Sequence, residues 1–182
     1  MGKTFESIGP ELQDWLVRQK IFFVATAPLS LNAHINCSPK GGDTFRILGE
    51  RDVAYLDLTG SGIETAAHVQ ENGRIVIMFC AFEGPPKIVR LHGASRVIYP
   101  DQPEFSEVIG LFPDLPGARA IIRVAVSRVS DSCGYAVPFF DYVGDRDTLD
   151  KWATAKGPEG LLAYRGQKNR VSIDGIAGYR DA

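Results

Sequence analysis

Polar and apolar residues alternate over several short stretches of this chain, the period of a strand with one wet face. Ala33 to Ser38 alternates and stops at Pro39, and Val53 to Leu58 and Lys87 to Tyr99 also read as strands. Ile21 to Thr26 is a compact apolar run closed off by Pro28. Arg74 to Phe82 is apolar almost throughout, the composition of a strand covered on both faces. Phe45 to Leu48 adds a shorter piece. In Ala120 to Ser130, Ile122, Val124 and Val126 share one face and Val129 falls out of phase, which predicts a bulge. Gly93 predicts a second irregularity or a close approach of two backbones. Helical spacing is scarcer. Leu12, Trp15, Leu16 and Gln19 follow Gly9-Pro10, and Glu64 to Glu71 closes at Asn72-Gly73. A short helix runs from Asp101-Gln102-Pro103 to Ile109, and residues 145–155 and 158–167 are helical in pattern. From Arg170 the tail is short and rich in glycine.

Short connections make most neighbouring strands antiparallel, and many short strands with one apolar face read as a closed or nearly closed barrel. The helix between the Val53 and Arg74 strands leaves two arrangements open there, a parallel pair or a crossing of the barrel mouth. With 182 residues the chain can bury roughly 70% of its unfolded surface, so it needs no staples. A formal charge of −2 argues against a general nucleic-acid or anionic-membrane binder. Cys37, Cys80 and Cys133 form neither a disulfide framework nor a zinc pattern, and buried inert thiols are expected. His34, His68 and His92 fall on different elements without metal-ligand spacing. The first residues lack the apolar core of a signal peptide and the longest apolar run, Ile75 to Phe82, is too short to span a bilayer. A cytoplasmic location is the expectation.

Candidate chemistry gathers in two places. In Asp57-Leu58-Thr59-Gly60-Ser61-Gly62-Ile63-Glu64-Thr65 a strand runs through a Gly-Ser-Gly turn into a helix. Helix starts carry unpaired N–H groups and partial positive charge, so a phosphate can sit there. Ser61 with Glu64 three residues on also reads as a capping box that binds nothing. Glu64 would repel a phosphate, so a nearby cation has to offset it. Ser38-Pro39-Lys40-Gly41-Gly42 supplies one, and Lys87, Arg90 and Arg96 lie on a later strand. Pro138-Phe139-Phe140-Asp141-Tyr142 is aromatic enough to pack a core or to cover a dimer seam.

The order of these parts (Ser-Pro-Lys-Gly, Thr-Gly-Ser opening a helix, Glu71 to Phe79, then Arg90-Leu91-His92-Gly93) resembles the FMN-binding split-barrel family of pyridoxamine 5′-phosphate oxidase-like proteins. The resemblance covers roughly residues 10–130. It implies a mainly β fold of the α+β class: a six-stranded antiparallel split β-barrel with peripheral helices, spanning residues 1–142, with residues 143–182 as a helical extension packed on it. It implies a homodimer with FMN in the groove between protomers. Asn36, Cys37, Ser38, Pro39, Lys40 and Gly41 would run beside the isoalloxazine ring and ribityl chain. Asp57, Thr59, Gly60, Ser61 and Thr65 would meet the ribityl and phosphate, and Arg90 would contact phosphate or ring. Better-known members carry a basic pair where this chain has Ile63-Glu64, which leaves Lys40 and Arg90 to supply charge. The residues that grip pyridoxamine phosphate in the vitamin B6 enzyme have no counterpart. The expectation is therefore an FMN-dependent oxidoreductase of unassigned substrate. A flavin carrier or redox sensor, a deazaflavin-dependent reductase and a haem-binding protein are the alternatives on the same fold.

Overall fold

The structure, a computed structural model, describes residues 2–179; Met1 and residues 180–182, the outer ends of the two expected segments, lie outside it. The elements follow one another as β1 (Thr4–Phe5), α1 (Pro10–Arg18), β2 (Ile21–Thr26), β3 (Asn36–Gly41), β4 (Phe45–Gly49), β5 (Asp52–Leu58), α2 (Glu64–Asn72), β6 (Arg74–Cys80), β7 (Ile88–Ile98), α3 (Pro103–Ile109), β8 (Ala118–Ser132) and α4 (Thr148–Lys168). The strands form one sheet in the order β3-β2-β6-β7-β8-β5-β4, with β1 added on β8, and every pairing among the described residues is antiparallel. The strands either side of α2 are not neighbours, because β7 and β8 lie between them. The parallel arrangement left open by the sequence therefore does not occur.

The sheet curls into a split barrel. β2 and β4 sit near opposite ends of the strand order, yet the rings of Phe22 and Phe45 are 5.5 Å apart and Phe45 meets Phe79 at 5.0 Å. Around them Val24, Tyr55, Ile77, Leu91, Ile122 and Val124 are buried, one apolar face of each strand filling the interior. The sheet has eight strands instead of six. The two-residue β1, from a segment that has no strand pattern, pairs with Val129 and Ser130, and β4 is the short piece expected at Phe45 to Leu48.

Two bulges bend β8. Opposite β7 the register slips between His92 and Gly93, which pair with Arg128 and Val126 and leave Ser127 as the extra residue. This explains the phase switch before Val129. It also explains Gly93, since a Cβ there would lie 2.3 Å from the Ala125 carbonyl oxygen. Opposite β5, Asp57 pairs with Ala120 and Leu58 with Ala118, so Arg119 is the unpaired residue.

Two sequence expectations are corrected, and two readings left open are narrowed. The strand at Ala33 to Ser38 starts later and runs through Pro39, which is tolerated because β3 is an edge strand. The capping box does not form: Ile63 is the N-cap of α2, without a side-chain cap, and Glu64 instead accepts the Ile173 N–H at 3.3 Å. Cys37 and Cys133 are exposed; Cys80 alone of the three thiols is buried. The segment after β8 does not pack a core, because Tyr135, Phe139 and Phe140 are exposed. The C-terminal helical stretch breaks at Gly157 (φ 64°), with Pro158 opening its second half, as the two helical patterns implied. No helix among the described residues is long and apolar enough to cross a membrane.

Candidate functional site

A groove of about 1460 Å³ runs between the sheet end at β2 and β3, the β5–α2 turn and the extended chain that follows β8. That volume exceeds the roughly 300–1,000 Å³ of an ordinary ligand pocket, so it has room for more than one small molecule. Trp15, Phe23, Phe82, Phe140 and Tyr142 supply aromatic wall, and Pro39, Lys40, Gly41, Thr59 and Gly60 also line it. At Gly60 an added Cβ would meet nothing within 4 Å, so bare backbone faces open space. Two wall cations stand over rings: Lys87 is 5.2 Å from the Trp15 centroid and Lys20 is 5.3 Å from that of Tyr142.

β3 divides its residues between two faces. Asn36, Ser38 and Lys40 are half-buried and alternate with exposed Cys37, Pro39 and Gly41. The inward face joins a polar network. Asn36 Nδ2 donates to Thr65 Oγ1 at 2.9 Å and to Thr26 Oγ1 at 3.2 Å, and Ser38 Oγ donates to Asn36 Oδ1 at 2.9 Å. Thr26 Oγ1 lies 3.0 Å from Nδ1 of fully buried His68.

Behind Lys40 lies a buried ion triad. Asp57, 2% exposed, accepts from Arg119 Nε at 2.7 Å and from Lys40 Nζ at 3.4 Å. The bulge turns Arg119 inward, where its remaining nitrogens donate to Asn169 Oδ1 (2.8 Å) and the Gly62 carbonyl (2.9 Å). Burial alone would raise the Asp57 pKa. The charges of Arg119 and Lys40 and their hydrogen bonds outweigh it, holding the carboxyl below the usual range. Burial, aided by the Asp57 charge, pushes the neighbouring Tyr55 phenol well up.

The C-terminal tail closes the other side of the turn. Asn169 Nδ2 donates to the Gly60 carbonyl at 3.0 Å, and Arg165 donates to Thr59 Oγ1 and to the Ala118 carbonyl, each at 2.9 Å. Beyond it, a bridge between Val171 and Ala177 folds the tail back. Asp174 accepts from the His34 backbone N–H at 2.9 Å and lies 2.7 Å from its Nδ1, contacts that hold the carboxyl below its ordinary pKa. The start of α2 thus meets its own chain.

The profile of the pyridoxamine 5′-phosphate oxidase family matches residues 8–133. A family protein of Aspergillus flavus, ustO, is 38% identical over 98% of this chain and 78% of its own length. The chain belongs to the pyridoxamine 5′-phosphate oxidase family. Two solved structures share the fold. A point variant of HupZ from Group A Streptococcus has a TM-score of 0.55 at 22% identity, covering 69% of this chain and 99% of that one. A FAD-binding protein of Mesorhizobium loti has a TM-score of 0.51 at 12% identity, covering 72% and 96%.

Within this family member the structure sorts the twelve expected site residues. Pro39, Lys40, Gly41, Thr59 and Gly60 line the groove. Asn36, Ser38 and Thr65 form the network behind it, and Asp57 backs Lys40. Cys37 and Ser61 are exposed, and Arg90, on β7, donates to Ser132 Oγ at 3.0 Å. Arg119, Arg165 and Asn169 escaped sequence reading. The flanking Gly117, Ala118 and Ala120 were the available signal for Arg119: a charged residue set among small ones at a strand start. Among the described residues no group of His, Cys, Asp and Glu could hold a metal ion.

Proposed function

We propose that this chain binds FMN in the groove and acts as a flavin-dependent oxidoreductase, working as a homodimer whose second copy completes the site. The observation that carries the reading is the groove itself, lined by aromatic rings, a lysine and bare glycine backbone. These are the parts a flat ring with a polar, charged tail requires. Family membership and the FAD-binding relative of the same fold support it.

The residues present fit such a group at one end and resist it at another. Phe23, Phe140 and Tyr142 would flank the ring, and Lys40, Gly41 and Gly60 would meet the polar chain. The start of α2 fits poorly, since Glu64 and the tail stand there. Bound flavin would supply the electron or hydride transfer, while the chain's own residues bind, orient and exclude water. The exposed aromatic residues after β8 are the surface a second copy would cover.

The visible spectrum of the protein purified from its host tests this. Two flavin bands, or micromolar uptake of added FMN by colourless protein, are expected. Colourless protein that refuses FMN overturns the proposal, and a Soret band replaces it with haem.

A further inference from the structure

Lys20 and Lys87 stand at one end of the sheet, just before β2 and β7, with β6 between those strands. Phe22 pairs with Phe79 and Cys80 with Ile88, so the residues that precede β2 and β7 lie nearly level. Two strand spacings, roughly 10 Å, separate their backbones. Each ammonium hangs over a ring of the groove wall, Lys87 over Trp15 and Lys20 over Tyr142. Phe82, in the turn from β6 to β7, and Arg18, in the last turn of α1, line the same groove. Lys87 is half-buried. Among the described residues Arg18, Lys20 and Lys87 make no ion pair, although Glu83, Asp141 and Asp145 line the groove as well. The two ammoniums therefore hold donors that no acceptor of the chain uses. The volume of about 1460 Å³ leaves room for a second molecule beside a flavin.

We propose that the wall carrying Trp15, Lys87, Tyr142 and Lys20 is the substrate subsite, and that it takes an aromatic carboxylic acid. The inference rests on the flavin-groove reading and deepens it by naming the substrate class. The ring of the acid lies against Trp15 and Phe82, and its carboxylate draws the two ammoniums from their rings. Cation–π contacts at open sites are weak, so a charge-assisted hydrogen bond displaces them. Two flexible four-carbon stems can converge on one carboxylate across the gap between their backbones. A single negative charge suits the wall better than a dianion, because Glu83, Asp141 and Asp145 repel the second charge.

The test titrates the wild-type chain, with and without added FMN, against benzoate and its uncharged amide, benzamide, by calorimetry. The acid should bind about tenfold or more tightly than the amide, the scale of one charge-assisted contact, and added salt should narrow the gap. Lys87→Met and Lys20→Met should each cut that preference while benzamide affinity stays, and Trp15→Leu should weaken both ligands alike. Lys20 is exposed, so Lys20→Met reads the subsite even where Lys87→Met disturbs the fold. Equal binding of acid and amide to the wild type, or a preference that survives both lysine changes, overturns the subsite. Tighter binding of phenyl phosphate than of benzoate overturns the carboxylate assignment. FMN uptake, read from the visible spectrum of the same samples, separates the two failures. Normal uptake without an acid preference ends the subsite alone. An acid preference in protein that refuses FMN supports the subsite and removes the flavin reading.

Discussion

Asp57 illustrates how much a single side chain carries. Asp57→Asn would leave Arg119 charged and buried with no carboxylate, a change that costs about 3–5 kcal/mol at comparable sites. Chemical denaturation should show it as a lower midpoint with an unchanged slope. The same residue sets an acid limit. Its folded pKa is depressed below the unfolded value of about 3.9, so its stabilisation is intact at neutral pH and drains away as pH falls below about 4. Acid titration of the wild type should show this loss, and Asp57→Asn should flatten it. Lys40 was legible as a candidate site residue because it sits at a strand end beside Gly41, and Asp57 because it opens the run into the Gly60-Ser61-Gly62 turn that the family resemblance singles out. Arg119 was not, since its inward aim comes from a register slip across β5 and β8 that no local pattern announces.

Among the elements, strand positions followed the alternation closely and the ends did not. Pro39 was read as a stop, but on an edge strand it costs no ladder bond to an outer neighbour. The phase switch in β8 and the glycine in β7 were read as separate irregularities, and they are the two sides of one bulge. Gly93→Ala should therefore cost about 1–3 kcal/mol, because the added methyl meets the Ala125 carbonyl and one strand must shift. A thermal melt measures it; an unchanged Tm would mean that β8 yields freely. The tail is the element the sequence described least. Its role depends on Asn169, which is fully buried and joins the Gly60 carbonyl to Arg119. Asn169→Ala should cost about 1–3 kcal/mol by leaving buried groups unpaired. It should also speed hydrogen exchange at residues 59–62, a change that loss at a remote surface position would not give.

At the scale of the molecule, the barrel class was visible in the succession of strands, while the size of the groove was not. Groove walls come from α1, the 82–87 turn and the 140–150 segment, whose convergence is a tertiary fact. The aromatic residues after β8 stay uncovered in one copy, and light scattering should report twice the 19.9 kDa chain mass. Phe139→Ser with Phe140→Ser should shift that value toward one chain mass.

β8 touches β1, β5 and β7 along its 15 residues, and so belongs to both halves of the sheet. Neither half can melt while the other survives, because each would lose its shared spine. Heating should give a single calorimetric peak, and the last amide protons to trade with heavy water should be those of Ile121, Ile122 and Val124.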